Sequence, residues 1–303
     1  MDIAGVGLNA TDTLIPLSKF PASGSKVEFH SASVLPGGQV ATAMVACQSW
    51  GLRTRYIGKL GDDAAAALHR EEFRKAGVET QLLTAPGCPS QQAFILVEDS
   101  GERTVLWKRD ERLAIRPEEL RQSWITDARA LHLDGHDTAA ALAAATWARA
   151  AGIPVIADLD DLYPGVLPLL SKVDYLIVSR DIPERLTGSP DLHRSLPEVS
   201  QRFGCRLTAA TLGHDGVLAW DGTGFCYRPA YLVPVVDTTG AGDIFHAGFL
   251  FGLLQGWPLA PTLDFACAAA ALNCSGHGAR GGIQSVETIQ QLIATGARYP
   301  KVF

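Results

Sequence analysis

The sequence predicts an α/β fold with a mostly parallel central sheet, helices on both faces and a small separate β-sheet. Apolar strand-like runs alternate with Ala-rich helical segments through the second half of the chain, and this pattern implies parallel strands joined by helical crossovers. Polar residues follow several of these runs, at the edge where open α/β sheets place ligands. No internal repeat or linker divides the 303 residues, so we expect one domain over residues 1–303.

Composition excludes several classes of protein. The net charge of −6 and the lack of a basic run argue against a nucleic-acid partner. The first residues carry no positive charge and the apolar runs are short, so we expect neither a signal peptide nor a membrane span. The six cysteines form no C-x-x-C pair, which argues against a zinc or redox motif and fits a reducing cytosol. We therefore expect a cytoplasmic protein.

The first predicted element is a buried strand over Ile3–Leu8, followed by the polar run Asn9–Thr13. Asp12 lies in that run, at the expected carboxyl end of the strand. It can be a turn residue, or it can accept hydrogen bonds from the hydroxyls of a ligand.

The next segment, Lys26–Leu35, alternates in character and is expected to form an exposed strand. Gly37 and Gly38 then precede an Ala-rich helix that runs to about Trp50. A glycine pair before a helix lets the backbone approach a ligand closely.

Two further strands are predicted at Gln92–Val97 and Arg103–Lys108, joined by a turn at Asp99–Gly101. Together with Lys26–Leu35 they can form a small sheet apart from the main one, so its strands are expected at about 12–35 and 88–112. Basic residues cluster at its end, at Lys108, Arg109 and Arg112. These are either solvated surface charges or contacts to an anionic or polyhydroxyl ligand.

The alternating region begins at about Ala128. The predicted strands are Ala130–Leu133, Pro154–Asp158, Val173–Val178 and Leu207–Leu212. The loop after the second of them carries Asp158, Asp160 and Asp161, which can bind a metal or form a solvated acidic loop. Short strands at Val217–Trp220 and Phe225–Tyr227 follow as a hairpin.

The run Asp237-Thr238-Thr239-Gly240-Ala241-Gly242-Asp243 carries the most specific chemistry. A strand-like segment, Tyr231–Val236, enters it, and the apolar run Ile244–Leu254 leaves it as a predicted buried helix. A glycine turn at a helix start presents N–H groups and partial positive charge to an anion. Asp243 can take a proton from a hydroxyl there while the turn holds the developing charge. The alternative is a helix-capping Asp in an ordinary turn.

This run resembles the C-terminal signature of the PfkB, or ribokinase, family of carbohydrate kinases. The resemblance extends to Gly37 and Gly38, to Gly58 and Gly61-Asp62, and to Thr211–Gly216. It implies a ribokinase-like fold in which the small sheet is a lid, and an enzyme that transfers a phosphoryl group from ATP, with Mg²⁺, to a sugar. It also implies a homodimer formed through the lid.

The resemblance assigns roles to individual positions. Asp243 is the implied base, and Gly240, Ala241 and Gly242 form the implied anion hole. The positions expected to bind the sugar are Asp12, Gly38, Gln39 and Thr42, with Arg109 added from the basic cluster. The positions expected to bind ATP are Thr211, Gly213, Gly216, Gly240, Gly242 and Asn273. Asp237 is expected to help hold a monovalent cation such as K⁺.

Two positions depart from the family pattern. Thr42 stands where the family usually has an Asn that reaches the sugar, and Ser179–Ile182 lacks the Asn-x-x-Glu motif linked to the Mg²⁺-phosphate. The runs Leu131–His136 and Val178–Asp181 look similar to ketohexokinase-like members, which favours a ketose such as fructose. Ribose and nucleosides are the alternatives, the latter requiring an aromatic platform such as Phe29, Phe94 or Trp107.

Two other classes of function stay open. The first is a regulator that binds sugar or nucleotide without turnover, because a fold does not fix a function. The second is a dinucleotide-dependent oxidoreductase, which ranks last because no G-x-G-x-x-G follows the first strand.

Overall fold

The structure, a computed structural model, describes residues 1–99 and 102–303. Its strands are β1 (Ile3–Val6), β2 (Ala10–Leu17), β3 (Ser33–Gly37), β4 (Thr54–Leu60), β5 (Glu79–Thr84), β6 (Gln92–Glu98), β7 (Arg103–Lys108), β8 (Ala130–Asp134), β9 (Val155–Leu159), β10 (Tyr175–Ser179), β11 (Leu207–Thr211), β12 (Val217–Trp220) and β13 (Phe225–Arg228). The expected turn between β6 and β7 falls at Ser100 and Gly101, outside the described residues.

The α-helices are α1 (Gln39–Ser49), α2 (Ala64–Ala76), α3 (Thr138–Ala150), α4 (Val166–Leu170), α5 (Ile182–Thr187), α6 (Leu192–Phe203), α7 (Ala241–Leu254), α8 (Leu259–Asn273) and α9 (Val286–Thr295). Short 3₁₀ turns lie at Glu111–Leu113, Pro117–Glu119, Gln122–Trp124 and Gly213–Asp215. Among the described residues, no helix combines the length and the apolar character needed to cross a bilayer.

The main sheet has the strand order β13-β12-β11-β10-β9-β8-β1-β4-β5. From β11 to β5 each strand pairs in parallel with its neighbour, and the β12–β13 hairpin closes one edge antiparallel. The predicted ribokinase-like α/β architecture is therefore confirmed. The register aligns Asp134 with Asp158, and Ser179 with Thr211, so these side chains meet at one edge of the sheet.

The two faces of the main sheet carry separate apolar clusters. One contains α1, α7 and α8 against residues such as Ile3 and Ile156, and the other contains α3 and α4 against Leu131 and Leu133. Because side chains alternate along a strand, His132 and Asp158 point to the same face as Ile156, toward α7. Residues 244–252 of α7 are all buried, as the apolar run predicts.

The small sheet has the order β3-β2-β6-β7, and we call it the lid. Directly paired residues point to the same face, so the register assigns each side chain to one side. Asp12, Ala93 and Trp107 pair in a row on the inner face, while Thr13, Phe94 and Leu106 pair in a row on the outer face. The lid thus presents a mixed polar and apolar inner surface toward the main sheet.

The strand expected over Lys26–Leu35 is wrong for most of its length, because β3 begins only at Ser33. Its ladder with β2 covers only residues 33–37 against 10–14. Residues 26–32 lie beyond this ladder, so their alternation has no neighbouring strand to pair with. Val27 and Phe29 are exposed as a result.

Two other local expectations are also corrected. Asn9–Thr13 does not form a loop after β1. Strand β2 of the lid already begins at Ala10 and includes Asp12. Tyr231–Val236 is not a strand: Tyr231 makes an isolated bridge with Arg298, and Val236 N–H donates to the Cys274 carbonyl. Pro234 has no N–H to donate in this run, which disfavours a continuous ladder.

Candidate active site

A cavity of about 420 Å³ lies between the inner face of the lid and the carboxyl edge of the main sheet. Its size suits a small molecule rather than a macromolecule. The start of α7 forms a third wall. The lining side chains with polar or ionisable groups are Asp12, Gln39, Gln91, Arg103, Trp107, His136, Asp158, Asp160, Asp161, Tyr163, Ser179, Thr211, Thr239, Asp243 and His246.

The start of α7 is built to face an anion. Gly240 adopts a left-handed backbone with φ 75° and caps the helix with backbone alone. Gly240 and Gly242 both line the cavity, and a Cβ added at Gly242 would meet no atom within 4 Å. Helix N-termini carry unsatisfied N–H groups and partial positive charge, so this wall is suited to bind phosphate.

The turn before α7 is tied to a second loop by two buried polar side chains. The Asp237 carboxylate accepts from Thr239 N (2.9 Å) and from Gly278 N (2.7 Å). The Asn273 amide donates to the carbonyls of Thr239 and Ala279 and accepts from Gly282 N. These contacts hold Gly240 against Ala279 and so fix the shape of the turn.

Asn273 was expected to contact ATP, but its side chain does not lie where that contact would require. Its side chain is fully buried and its amide is engaged by three backbone groups. Its role in the fold is to position the Gly240 turn. Asp237 is likewise fully buried, and the monovalent cation near it stays a prediction.

Asp243 lies in the first turn of α7 and its side chain lines the cavity. Burial, and next the charge of Asp158, raise the pKa of Asp243 to about 7, with Asp160 adding to the shift. The guanidinium groups of Arg103 and Arg280 oppose it. A carboxylate with a pKa near neutrality, in a cavity beside an anion-binding turn, is suited to act as a general base.

Asp12 lines the same cavity from strand β2 of the lid and is buried. Burial, and next the negative charge of Asp243, raise the pKa of Asp12 to about 7, and Arg280 opposes the shift. Asp12 thus lines the cavity, and its contact with the sugar stays a prediction.

The glycine pair before α1 also reaches the cavity. Gly38, with φ 97°, and Gln39 line it, and Gln39 Oε1 is buried without a hydrogen-bond partner among the described residues. Thr42 was expected to contact the sugar, but it is fully buried and faces Arg280, whose Nε lies 3.3 Å from Thr42 Oγ1. Being one turn further along α1, Thr42 lies behind the cavity wall.

Arg109 is also misassigned as a contact in this cavity. Its guanidinium donates to Asp137 Oδ2 at 2.7 Å and lines a much smaller neighbouring cavity. The cation that the lid does bring to the site is Arg103, which sequence reasoning missed. Arg103 donates to the carbonyl and to Oγ1 of Thr238, at the start of the Gly240 turn. Alternation along β7 was the available signal, since Arg103, Val105 and Trp107 share one face.

The nucleotide side of the site lies along β11 and its turn. Thr211 lines the cavity and its hydroxyl donates to the Val178 carbonyl. Gly213 and Gly216 both have positive φ in the turn that follows. This turn follows the same sheet edge as Ser179. Of the three residues only Thr211 lines the cavity, and the contacts of all three with ATP stay predictions.

Oxygen donors at the cavity wall fit a magnesium ion carried by a nucleotide. Asp160 and Asp161 both line the cavity beside Ser179. Mg²⁺ prefers carboxylate, phosphate and water oxygens and commonly takes only one or two protein carboxylates. Asp161 Oδ1 is paired with Arg185 at 2.6 Å, and Asp160 Oδ1 accepts from the Tyr163 hydroxyl at 2.8 Å. The second oxygen of each carboxylate can therefore supply the one or two protein ligands without the Asn-x-x-Glu motif.

Comparison with known proteins agrees with this geometry. The sequence model described as pfkB family carbohydrate kinase matches residues 4–285. The ATP-dependent ribose-1-phosphate kinase of Halopiger xanaduensis is 30% identical over 277 residues, covering 89% of this chain and 90% of that protein. The 5-dehydro-2-deoxygluconokinase of Bacillus subtilis is 26% identical over 283 residues, covering 85% and 86%.

A solved structure supports the same fold. The ribokinase of Arabidopsis thaliana, complexed with ribose and ATP, superposes with a TM-score of 0.83 at 22% identity, covering 97% of this chain and 99% of that one. At 22% identity this similarity supports the fold of the chain and nothing further.

Proposed function

Because the chain belongs to the pfkB family of carbohydrate kinases, which transfer a phosphoryl group from ATP to a sugar hydroxyl, we propose that Asp243 is the base of this reaction. It accepts the proton of the attacking hydroxyl as the oxygen bonds to the γ-phosphorus and the bond to the β-phosphate oxygen breaks. The observation that carries this role is its place in the first turn of α7, facing the same cavity as Asp12.

The turn of Gly240, Ala241 and Gly242 is the proposed anion hole. Its N–H groups and the positive end of α7 stabilise negative charge on the transferring phosphoryl group. Such donors are effective because they are already oriented before the reaction and do not have to reorganise. The hydrogen bonds made by the Asp237 and Asn273 side chains keep the N–H groups of the turn in this fixed orientation.

Divalent metal and nucleotide complete the site. When bound, Mg²⁺ would neutralise part of the negative charge of the ATP phosphates. Asp160 and Asp161 are the residues proposed to hold it, and Thr211, Gly213 and Gly216 are proposed to border the nucleotide. A K⁺ ion near Asp237 would act by ordering the surrounding backbone carbonyls.

The sugar is proposed to lie under the lid, with hydroxyls on the Asp12 carboxylate and on Gln39 Oε1. The unpartnered Gln39 oxygen is an acceptor for one sugar O–H group. Gly38 lines the cavity, and an added Cβ there would lie 2.4 Å from Asn9 Cα, so this position requires glycine to pack the turn against Asn9. Trp107 lines the cavity and offers a ring face to the apolar side of the sugar.

A ribose-type sugar is favoured over a fructose-like ketose as the acceptor. The ketose expectation came partly from the run Leu131–His136, but Leu131, His132 and Leu133 are fully buried. That part of the similarity reports packing rather than contact with the sugar. Two relatives named for ribose or its phosphate are the ribose-1-phosphate kinase of Halopiger xanaduensis and the ribokinase of Lactococcus lactis, the latter 25% identical over 295 residues. The relative from Bacillus subtilis is named for 5-dehydro-2-deoxygluconate, and none of these three is named for fructose.

A panel of acceptors tests this assignment through ATP consumption coupled to ADP detection. We expect turnover with ribose or ribose 1-phosphate to exceed that with fructose, 5-dehydro-2-deoxygluconate and adenosine. The greatest kcat/KM with adenosine would overturn the sugar assignment, and the greatest with fructose would restore the ketose. Tight binding of a sugar with no ADP formed would select the regulator instead.

The Arg103→Gln substitution is expected to lower kcat by roughly 10²-fold, the scale for losing one electrostatic contact at a developing charge. Arg103 is the lid cation whose side chain reaches the Gly240 turn, and it also favours the ionised form of Asp243. Steady-state kinetics with saturating ATP and sugar measure the effect. Arg112→Gln is the matched control, because Arg112 pairs with Asp110 outside the cavity; equal losses in both variants would contradict the role of Arg103.

The lid is also the proposed homodimer surface. Its outer face exposes Val34, Phe94 and Leu106, which are 59%, 46% and 57% exposed and share one row of the sheet. An apolar row of this kind marks a protein contact more often than a solvated face. Light scattering of wild type and of Phe94→Glu tests it: a dimer that dissociates in the variant supports the proposal, and a monomeric wild type overturns it.

A further inference from the structure

Three buried side chains form a cluster next to the phosphoryl-transfer cavity but outside the machinery described above. His132 comes from β8, Asp158 from β9 and His246 from α7. They are 0%, 7% and 2% exposed. One possible ligand atom from each lies within 4.8 Å of the others.

Most polar atoms of the cluster have nothing to bond to. Within the described part of the chain, both ring nitrogens of His132, Nδ1 of His246 and Oδ2 of Asp158 are buried without a hydrogen-bond partner. Burying an unsatisfied polar group costs about 1–3 kcal/mol, so native interiors rarely leave several together. Four such atoms at one place indicate a missing partner.

Pairing within the cluster does not solve the problem. His246 Nε2 lies 3.1 Å from Asp158 Oδ1, which satisfies one atom of each. His132 gains nothing from this contact, and its ring centroid is 5.6 Å from that of His246. A neutral imidazole needs both a donor and an acceptor partner. The Ile156 backbone lies near the His132 ring and partly opposes the lowering of its pKa, but neither ring nitrogen makes a hydrogen bond of ordinary geometry to a described residue.

The protonation states suit a cation in the gap. Burial lowers the pKa of His246 to about 3, and burial together with the nearby His246 lowers the pKa of His132 well below its ordinary value. Both imidazoles are therefore neutral at pH 7 and can donate a lone pair.

We propose that His132, Asp158 and His246 form a binding site for a divalent transition-metal ion of the zinc type. Two neutral imidazoles and one carboxylate are a donor set that zinc accepts, with the fourth position left to water or to a ligand. That fourth position opens into the cavity, because Asp158 and His246 also line it.

The geometry needs little adjustment. Zinc holds its nitrogen and oxygen ligands at about 2.1 Å, which in a tetrahedron separates the ligand atoms by about 3.4 Å. The cluster therefore has to contract by at most about 1.4 Å from its present spacing of up to 4.8 Å. Binding would connect the middle of β8 and the end of β9 to α7, one helical turn beyond Asp243.

This site is separate from the magnesium that accompanies ATP. Mg²⁺ is a hard cation that selects oxygen ligands, whereas imidazole nitrogens select zinc, cobalt and similar ions. The inference also holds whichever sugar is the acceptor, so it can fail or succeed independently of the proposed function.

A cobalt titration of nucleotide-free, untagged protein treated with EDTA tests the site, because four-coordinate Co²⁺ has an intense visible spectrum. We expect one saturable ion per chain, displaced by Zn²⁺ but not by excess Mg²⁺. At 100 times Kd, the ion should raise Tm by roughly 4 °C for a chain of this size. No cobalt spectrum and no Tm shift in the wild-type protein would overturn the proposal without the need for any variant.

Variants locate the ion. His132→Leu and His246→Gln should each weaken Co²⁺ binding by at least about 10²-fold, the upper range for losing even an outer-shell contact. His69→Leu is the matched control, since His69 is also buried with an unpartnered nitrogen but lies outside the cluster. It should bind Co²⁺ as the wild type does; unchanged binding in His132→Leu would place the ion elsewhere and overturn the assignment.

Discussion

Asp243→Asn is expected to lower kcat by about 10³-fold, within the 10²- to 10⁴-fold contributed by a positioned general base. Asparagine keeps the size of the side chain at the start of α7 but cannot accept a proton from the sugar hydroxyl. The effect belongs to the transition state, so kcat and kcat/KM should fall together while the affinity for ATP changes little. Steady-state kinetics and isothermal titration with ATP measure the two quantities separately.

Asp12→Asn is the comparison that separates chemistry from binding. Asp12 faces the same cavity and has a similarly raised pKa, but its proposed contact is with sugar hydroxyls. Its loss should appear mainly as a higher KM for the sugar. If Asp243→Asn instead loses ATP binding in proportion to activity, the carboxylate is structural and the proposed chemistry is wrong.

Gly240→Ala is expected to lower kcat/KM by about 10²- to 10³-fold, the scale for disrupting one anion-stabilising donor. Gly240 has φ 75°, and an added Cβ would lie 2.6 Å from the Cα of Ala279. The obstacle is the backbone of Ala279, which the Asn273 amide holds in place by a hydrogen bond. The Gly240 turn itself must therefore move. A displacement of about 1 Å at this point would misalign the phosphoryl group and lower the rate.

Gly222→Ala controls for the backbone strain alone. Gly222 also has positive φ, at 91°, but an added Cβ there meets no atom within 4 Å. Both variants therefore strain the backbone by a similar amount, and only Gly240→Ala deforms the site. Kinetics measured well below each Tm should show near-wild-type activity for Gly222→Ala; equal activities would contradict the role assigned to the Gly240 turn.

Features that depend on neighbours in the chain could be predicted from the sequence. The parallel sheet followed from strand and helix alternation, and the buried helix α7 followed from its uniformly apolar run. The glycine turn before Asp243 was recognisable because its residues are contiguous. Glycines at fixed spacing and a carboxylate at a helix start report local geometry directly.

Features set by distant partners could not be predicted in the same way. Whether Thr42 faces the cavity depends on Arg280, more than two hundred residues away in the chain. Whether Asn273 faces it depends on Thr239, about thirty residues away. Arg109 was expected to contact the sugar, but in the structure its guanidinium group forms a salt bridge with Asp137. Spacing shows that polar residues are near one another but not which of them has already found a partner.

The buried histidines illustrate the same limit. His132 and His246 stand in apolar runs 114 residues apart, and each by itself reads as an ordinary core residue. Only the fold brings their nitrogens together beside Asp158. Arg103 was similarly hidden, because its contact with Thr238 spans 135 residues.

The pH dependence of kcat/KM for the sugar, with MgATP well below its KM, tests the role of Asp243 most directly. The profile reports the free enzyme. Only ionised Asp243 can accept the proton, so with a pKa of about 7 the rate should fall about tenfold per pH unit on the acid side of that value. Asp12→Asn should keep a fall on the acid side at a lower absolute rate, with the inflection moved to lower pH because one neighbouring negative charge is gone. A profile that stays level down to pH 5 in both proteins would mean that no carboxyl group with a raised pKa accepts the proton, and would contradict the proposed mechanism.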